Sequence, residues 1–441
     1  MPDSFAGRVA QVPPRLLLPH GTAAPDRLTV VDALALPDAV PTCWLVLALD
    51  DNGTHHVLPL VDQAQQPRRA RTGDGWATAL AAVGVAPSDE RGWRVRAVAP
   101  VDPAALQGSL VEEPVFSSSW SEVVDVAGGY RVRLVLRPET LTSVPPQPWR
   151  HIAHTTPDLV AGGLFDVTWQ SQEEGSDVQA VSAAALVATV SDAGSAAEAL
   201  NREATRHLRG VDTANETLAL ARALGETLAR VHHALATPSP EIADPLALLG
   251  DEGATLLARR IKDTLAEAVV LTEVDVRETL QSNMADLRHS LADLESASGT
   301  WVLPAVPLGS LQQFQVSGTR LTLDPLTIRA IEGPHLAVMD LARLLREVTH
   351  VAHGALRRMV SGGEHVPAER VPTWVGAVRE TILERYEATL IAYGQDPLLD
   401  PRLLRPFEIE AECRALIYAS RELPTWSAVP DAGLVELLTR W

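Results

Sequence analysis

The hydrophobic positions are spaced differently in the two halves of the chain. Between residues 28 and 100 the apolar residues come in short runs typical of strands, and Asp-Asn-Gly at 51–53 separates two such runs within WLVLALDDNGTHHVLPLV, residues 44–61. Asn-Gly tolerates positive φ angles, so this spacing predicts a β-hairpin. A second alternating region, VFSSSWSEVVDVAGGYRVRLVLRPE at 115–139, predicts another hairpin that turns at its Gly-Gly pair.

After about residue 180 the apolar spacing becomes helical. Thr213 and Glu216 have the spacing of a capping box, and the apolar residues that follow recur at helical intervals. Further helical patterns cover residues 251–295, 335–360, 373–393 and 406–423, and a strand-like island at 301–331 interrupts them. Strands first and helices later, with a β island inside the helical half, predict an α+β fold.

Composition and charge narrow the choice of partners. The chain has 441 residues, is 46% hydrophobic and carries a formal net charge of −19. This is the composition of a globular protein, and so acidic a surface would repel the phosphates of nucleic acids and anionic membranes. No stretch approaches the roughly 20 apolar residues of a membrane span, and the N-terminus lacks the features of a signal peptide. The two cysteines, Cys43 and Cys413, cannot form a disulfide framework, so the sequence predicts a cytoplasmic protein without nucleic-acid or membrane partners.

Candidate chemistry is concentrated in the island and in the helix after it. The segment places Gly309 and Ser310 in a loop, a hairpin turn at 317–318, Asp324 at the end of a strand and Asp340 in the next helix. An acidic residue at a strand end, facing a polar loop, suits a site that holds a metal–phosphate group. On spacing alone, a turn acid that merely caps the strand is the simpler interpretation.

The same residues resemble the catalytic core of the maltokinases, within the aminoglycoside-phosphotransferase-like kinases. Aligned on Gly309, LGSLQQFQV (308–316) falls on the family's catalytic-loop motif and Asp324 on its metal-binding aspartate. LGETLARVHHAL (224–235) is similar to a helix of the family, and the segment 407–438 is similar to the family's C-terminal ending. The matched positions in that ending are Phe407, Glu408, Glu410, Tyr418, Pro424, Trp426 and Pro430.

The resemblance implies a bilobal, kinase-like α+β fold that covers most of the chain. It implies a β-rich N-terminal cap at 1–105, a β-rich and nucleotide-facing N-lobe at 106–190, and a mainly helical C-lobe at 191–441. The C-lobe would contain the catalytic island, 303–331. ATP and Mg²⁺ are the cofactors that such a fold implies.

Carried over position by position, the resemblance also implies a set of site residues. Ser119 and Ser121 fall where the nucleotide loop lies, and Arg133 or Arg137 is the available charge for the nucleotide phosphates. Gln315 and Asp324 are the implied magnesium ligands. Ser310 occupies the position of the catalytic aspartate. The implied acceptor-sugar residues are Glu408, Glu410, Tyr418 and Trp426.

The departures from the family pattern fall on chemistry rather than on the scaffold. Ser310 cannot act as a general base on its own, and Leu308 and Gln312 replace the two histidines of the motif. Lys262, the only lysine of the chain, lies in the C-lobe range, so no lysine is available in the N-lobe for the nucleotide phosphates. Ala411 replaces the lysine of the acceptor motif. This pattern predicts a pseudokinase that has lost phosphoryl transfer.

Three functional hypotheses follow. In the first, the protein is a regulatory or scaffolding pseudokinase of α-glucan or trehalose metabolism, with a protein partner such as an enzyme of that metabolism, and with ATP and Mg²⁺ binding weakened or absent. In the second, it is an atypical ATP-dependent kinase of a sugar, aminosugar or maltose-type acceptor that uses Asp324 and Gln315 for magnesium. In the third, it binds a sugar or nucleotide without turnover.

Two further features are interpreted as structural. His350 and His353 are spaced i, i+3 on a predicted helix and form a candidate pair for metal binding, but the sequence offers no third ligand nearby. Cys413 lies inside a predicted helix without a His/Asp pattern around it, which favours buried packing.

Overall fold

The computed structural model divides the chain into two compact units, residues 1–153 with 161–191 and residues 154–160 with 192–441. The described residues are 5–18, 25–36, 42–63, 66–71, 73–85, 89–90, 92–97, 112–117, 121–126, 130–135, 147–160, 164–170, 180–188, 194–272, 274–304, 308–318, 320–323, 333–367 and 369–439.

The first unit is built mainly from antiparallel strands. In chain order its elements are α1 (Phe5–Val9), β1 (Leu28–Leu36), β2 (Cys43–Asp50), β3 (His55–Gln63), β4 (Gln66–Arg69), α2 (Trp76–Val85), β5 (Asp89–Glu90), β6 (Trp93–Ala97), β7 (Glu112–Ser117), β8 (Ser121–Val126), β9 (Tyr130–Val135), α3 (Gln147–Thr155), β10 (Leu164–Gln170) and β11 (Ala180–Ala188). The last two residues of α3 belong to the second unit.

Two sheets organise these strands. The first has the order β1-β2-β3-β4, and the second has the order β5-β6-β10-β11-β9-β8-β7. A core of buried side chains joins both sheets to α2, with Leu45 and Leu47 from β2, Trp76 from α2, and Val132 and Val167 from the larger sheet. β5 and β6 lie inside the range expected for the cap, yet they belong to the same sheet as β7 to β11. The boundary at 105 stays a prediction.

The hairpin predicted around Asp-Asn-Gly is confirmed. β2 and β3 pair antiparallel, with Ala48 opposite His56, and Gly53 in the turn has a φ of 79°. The Asp50 carboxylate accepts backbone N–H groups of the turn from Asn52 and Thr54. β8 and β9 also pair antiparallel, as expected for the second hairpin, although its Gly-Gly turn lies outside the described residues.

The expectation of strands throughout residues 28–100 was wrong at α2. The segment WATALAAVGV is apolar at nearly every position and therefore carries neither a helical nor a strand period. A short run of this kind cannot be assigned by periodicity, and burial on several sides lets it form a helix against the sheets. Trp76 and Leu80 of this helix are buried in the core of the first unit.

The second unit is mostly helical. In chain order its elements after α3 are α4 (Ala196–Leu208), α5 (Ala214–Ala236), β12 (Ala247–Leu248), α6 (Asp251–Leu271), α7 (Val274–Ser282), α8 (Met284–Glu295), β13 (Trp301–Val302), β14 (Phe314–Ser317), β15 (Arg320–Leu323), α9 (Ala337–Ser361), α10 (Arg370–Ala392), α11 (Leu404–Glu422) and α12 (Ala428–Thr439). The predicted helices at 335–360, 373–393 and 406–423 are confirmed within a few residues, as is the hairpin turn at 317–318 between β14 and β15. The α+β plan is therefore confirmed.

The capping box predicted at Thr213 is absent, although α5 does begin directly after this residue. Thr213 has φ −130° and ψ 13° and makes no side-chain cap hydrogen bond. Its hydroxyl is buried and accepts the Thr217 hydroxyl instead. A capping box forms at the neighbouring helix α4, where Ser195 and Glu198 each bond the other's backbone N–H.

The helices of the second unit pack closely around α9. Gly225 of α5 lies so near α10 that a Cβ atom would meet the backbone carbonyl oxygen of Ile382. Helix α9 is buried along much of its length and contacts α4, α10, α11 and α12.

Among the described residues, no helix combines the length and the hydropathy that a membrane span requires.

Candidate active site

A cavity of about 1150 Å³ lies within the second unit. Its walls come from α4, α6, the loop before β14, one face of α9, α11 and the residues after α11. The lining residues include Glu198, Asn201, Arg260, Leu308, Leu311, Gln312, His335, Asp340, Arg343, Arg346, Glu347, His350, Arg358, Phe407, Glu410, Arg414, Tyr418 and Trp426.

The loop at 308–313 is fixed against the first turns of α9. The backbone N–H of Leu308 donates to Asp340 Oδ1 at 2.9 Å. Gly309 has a φ of 101°, and a Cβ atom at this position would meet the backbone carbonyl oxygen of Asp340. Only glycine combines this backbone angle with this close approach, so Gly309 is required for the loop to lie on the helix. The Ser310 N–H donates to Gln313 Oε1 at 3.0 Å and closes the turn.

Asp340 is the buried centre of a polar network under this loop. Its carboxylate is 2% exposed and accepts hydrogen bonds from His232 Nε2 at 3.1 Å and His335 Nε2 at 2.9 Å. The Tyr386 hydroxyl lies 2.7 Å from His232 Nδ1. Burial alone would raise the pKa of Asp340, but the two histidines hold it below its ordinary value. Burial lowers the pKa of His232, so a neutral ring donates to Asp340 and accepts from Tyr386.

Ser310 and Glu347 are joined at the cavity. The Ser310 hydroxyl donates to Glu347 Oε2 at 3.1 Å, and the Leu311 N–H donates to the same oxygen at 2.7 Å. Glu347 lies seven residues after Asp340, and both line the cavity from α9. Sequence reasoning assigned no role to Glu347, although its spacing from Asp340 places it on the same helix face.

α11 supplies an acidic and aromatic wall. Glu410 lines the cavity and accepts hydrogen bonds from Arg260 Nη2 at 2.9 Å and from Arg414 Nε at 3.0 Å. Tyr418 is exposed and meets the Trp426 ring edge-on, with centroids 6.4 Å apart. The structure thus brings three of the four predicted acceptor residues to one cavity.

Glu408, the fourth predicted acceptor residue, does not line this cavity among the described residues. Its carboxylate is buried and accepts a 2.6 Å hydrogen bond from Arg379 of α10. This pair joins α10 to α11 and thereby supports the wall that carries Glu410.

A second buried ion pair lies under the wall. Arg346 Nε donates to Glu412 Oε2 at 2.6 Å, and His350 Nε2 lies 3.0 Å from Glu412 Oε1. Burial would raise the pKa of Glu412, but the charge of Arg346 and the contact with His350 hold it below its ordinary value. His353 Nε2 lies 3.0 Å from Glu436 Oε2, so each histidine of the i, i+3 pair meets a carboxylate.

The predicted nucleotide and metal residues are only partly described. Ser119, Arg137 and Asp324 lie outside the described residues. Ser121 begins β8, and Arg133 lies on β9 opposite Val123, so the described backbone places both in the first unit. No group of three or more His, Cys, Asp or Glu side chains suited to a metal ion occurs among the described residues.

Gln315, the other predicted magnesium ligand, lies on β14 opposite Thr322. It also forms a bridge to Ser195, the residue that caps α4. Lys262 lies on α6, within the range predicted for the C-lobe, and pairs at the surface with Glu295 of α8.

Comparison with known proteins identifies relatives over the whole chain. No protein-family model matches. A glucosamine kinase from Streptacidiphilus jiangxiensis is 28% identical, and the alignment covers 99% of each chain. A glucosamine kinase from Mycolicibacterium smegmatis is 29% identical over 38% of this chain and 45% of the relative. The homologues are glucosamine kinases.

Solved structures agree with the sequence relatives. A glucosamine kinase in complex with glucosamine, ADP and inorganic phosphate is 25% identical, has a TM-score of 0.77, and is matched over 99% of this chain and 100% of that one. Crystal form B of a glucosamine kinase has a TM-score of 0.80 at 24% identity over the same extents. The fold is kinase-like. The expected kinase-like α+β architecture is thus confirmed.

The pseudokinase hypothesis was wrong. It rested on the joint departures at Ser310, Gln312 and Ala411 and on the missing N-lobe lysine. The relatives that match from end to end are nevertheless named kinases, and one is solved with a sugar, ADP and phosphate. The structure gives a physical reason for the error, because the Ser310 hydroxyl contacts the Glu347 carboxylate. The relatives are also named for glucosamine rather than for maltose, so the comparisons do not support the assignments to the maltokinases or to trehalose metabolism.

Proposed function

We propose that the protein is an ATP-dependent kinase that phosphorylates an aminosugar, with glucosamine as the first candidate acceptor. The observation that carries this proposal is the end-to-end similarity to glucosamine kinases, including the one solved with glucosamine, ADP and inorganic phosphate. The kinase-like fold and the cavity of the second unit are consistent with it.

The α11 wall suits a sugar acceptor. Sugar hydroxyl groups bind to carboxylates and guanidinium groups, and Glu410 and Arg414 present both kinds of group at the cavity. The ring of Trp426 offers an apolar surface beside them, of the kind that packs on a sugar face. We therefore expect the acceptor to lie against α11, with its reacting hydroxyl toward the loop at 308–313.

The phosphoryl donor in this proposal is MgATP, bound as a substrate. Phosphoryl transfer requires mainly that the acceptor oxygen and the γ-phosphorus be aligned and that the developing charge be stabilised. Ser119, Ser121, Arg133 and Arg137 remain the predicted nucleotide contacts, and Gln315 and Asp324 the predicted magnesium ligands. A protein partner also stays a prediction.

A substrate panel tests the proposal. The purified protein is incubated with MgATP and glucosamine, N-acetylglucosamine, glucose or maltose, and ADP release is measured together with the phosphosugar by mass spectrometry. We expect glucosamine to give the highest kcat/KM and a stoichiometric phosphosugar, with little ADP in the absence of sugar. No phosphosugar from any hexosamine, or a preference for maltose, would contradict the proposal.

A matched pair of variants locates the acceptor. Trp426→Leu removes an aromatic ring from the cavity wall and should raise the KM for glucosamine, by about tenfold, while the KM for ATP stays near that of the wild type. Tyr393→Leu is the control, because Tyr393 stacks on His233 at the end of α10 and does not line the cavity. Equal effects of both variants would place the acceptor elsewhere.

A further inference from the structure

Four carboxylates line the described part of the cavity, and they differ in how much hydrogen-bonding capacity they have left. They are Glu198, Asp340, Glu347 and Glu410. A kinase needs a group that takes the proton of the acceptor hydroxyl or that orients this hydroxyl, and a carboxylate is a common choice. Its oxygen must reach the substrate, so a carboxylate whose oxygens are all engaged by the protein is unsuited to the role.

Three of the four carboxylates accept hydrogen bonds that hold the local structure together. Glu198 closes the capping box of α4, where its Oε2 accepts the Ser195 N–H, and it makes no described contact with the loop at 308–313. Asp340 is buried and accepts from two histidines and a backbone N–H. Glu410 accepts from Arg260 on one oxygen and from Arg414 on the other. Protonation or movement of these groups would break the contacts that shape the cavity.

Glu347 differs from these three because it is the described carboxylate that contacts Ser310 and Leu311, and it does so through one oxygen. Oε2 accepts both the Ser310 hydroxyl and the Leu311 N–H, and these bonds fix the plane of the carboxylate. Oε1 lies 3.4 Å from Arg343 Nε, which is longer than a good N–H···O hydrogen bond. The side chain is 27% exposed and lines the cavity.

The same helix face fixes the loop at two points. Asp340 holds Leu308 at the start of the loop, and Glu347 holds Ser310 and Leu311 two helical turns further along. A carboxylate held in this way does not have to reorganise when a substrate arrives, and such preorganisation is what makes a catalytic group effective. The two hydrogen bonds therefore hold the loop on α9 and at the same time orient the Glu347 carboxylate.

We infer that Glu347 is the catalytic carboxylate that accepts the proton of the acceptor hydroxyl, and that Ser310 is a positioning residue that orients it. This inference rests on the proposed sugar-kinase function. The acceptor oxygen forms a bond to the γ-phosphorus of ATP, and the bond from that phosphorus to the β–γ bridging oxygen breaks. The electron pair of the broken bond leaves on ADP, and the hydroxyl proton passes to Glu347 Oε1 and then to solvent.

The decisive variant is Glu347→Gln. The amide oxygen of glutamine still accepts the Leu311 N–H and the Ser310 hydroxyl, so the loop is retained while the negative charge and the basicity are lost. We expect kcat to fall by about 10²-fold, near the lower end for a general base because the phosphoryl-transfer transition state is loose. The KM values for sugar and for ATP should stay within about threefold of the wild type.

A second variant distinguishes a catalytic carboxylate from a merely structural one. The double variant Ser310→Asp with Glu347→Gln returns a carboxylate to the same place from the loop side, and it should recover at least about tenfold of the lost kcat. Ser310→Ala, which only loosens the carboxylate, should cost about tenfold or less in kcat. The control is Glu384→Gln, which changes an exposed carboxylate on α10 and should behave as the wild type.

The outcomes separate this inference from the proposed function. If the wild type phosphorylates glucosamine and Glu347→Gln keeps its kcat within about threefold, or changes only the KM for the sugar, the assignment of Glu347 is overturned. If Glu347→Gln lowers kcat and the double variant recovers none of it, a structural role explains the loss and the assignment is overturned as well. If the wild type phosphorylates no hexosamine, the proposed function itself fails, and the assignment fails with it.

Discussion

The ion pair between Arg346 and Glu412 makes a sharp prediction about stability. Arg346 is 1% exposed and Glu412 is fully buried, and Arg346 Nη2 also donates to the Gly433 carbonyl at 2.8 Å. Arg346→Met removes the guanidinium but leaves a buried carboxylate whose described partner is then His350. Removing one member of a buried pair costs about 3–5 kcal/mol, because the remaining charge is desolvated without compensation.

The size of the second unit allows the expected loss of free energy to be expressed as a decrease in Tm. The unit has roughly 250 residues, so its unfolding entropy is about 0.5 kcal/mol/K and the expected decrease in Tm is about 6–10 °C. Differential scanning calorimetry of the full chain measures the transition, and urea unfolding at 25 °C measures the free energy directly.

A double variant tests whether the uncompensated charge is the cause. Arg346→Met with Glu412→Leu removes both charges and keeps similar side-chain volumes, so it should be at least about 2 kcal/mol more stable than Arg346→Met alone. Arg385→Met is the control, since Arg385 and Glu226 form an exposed pair that contributes about 1 kcal/mol or less. The reasoning is refuted if Arg346→Met costs less than about 1 kcal/mol, or if the double variant is the less stable of the two.

Three further predictions follow from the described contacts. Gly309→Ala should destabilise the protein by about 1–3 kcal/mol and lower kcat, because Gly309 has a positive φ and lies against the Asp340 backbone. Gly376→Ala on α10 is the control, since a Cβ atom there meets open space and the substitution should be neutral or stabilising. Urea unfolding and the kinase assay compare the two variants. Stability should fall as the pH drops below about 6.5, because burial lowers the pKa of folded His232 below its ordinary 6.5 and the unfolded chain takes up the proton first. Denaturant titrations between pH 5 and 8 should show a flatter dependence of stability on pH for His232→Gln. The Cys413 thiol should not react with maleimide in the native protein and should react in urea, because burial raises its pKa; labelling of the native thiol would contradict its place in the core.

The fold was largely predictable from the sequence, because its signals are local. Asn-Gly at 52–53 specifies a turn through backbone angles, and the helical spacing of α9 and α11 is visible within each segment. The prediction failed where local pattern is uninformative. α2 has no period because it is apolar on every side, and the Thr213 hydroxyl turns toward Thr217 instead of the helix N-terminus.

The candidate site was less predictable, because its contacts join residues far apart in the chain. Asp340 bonds to His232, which lies 108 positions earlier, and Glu347 contacts a loop 36 and 37 positions earlier. A single sequence gives no measure of such distances. The loop motif shows a serine at 310, but the carboxylate beside it comes from α9, so the motif alone does not reveal that the site contains an acid.

The two anchoring carboxylates of α9 also constrain the length of this helix. Asp340 and Glu347 are seven positions apart, and seven residues advance an α-helix to within about 20° of two full turns. A one-residue insertion or deletion between them would rotate Glu347 by about 100° around the helix axis and shift it by about 1.5 Å, away from Ser310 and Leu311. Related chains that keep this loop contact should therefore keep the number of residues between the two carboxylates. Substitutions elsewhere along α9 should be tolerated far more readily than insertions or deletions between them.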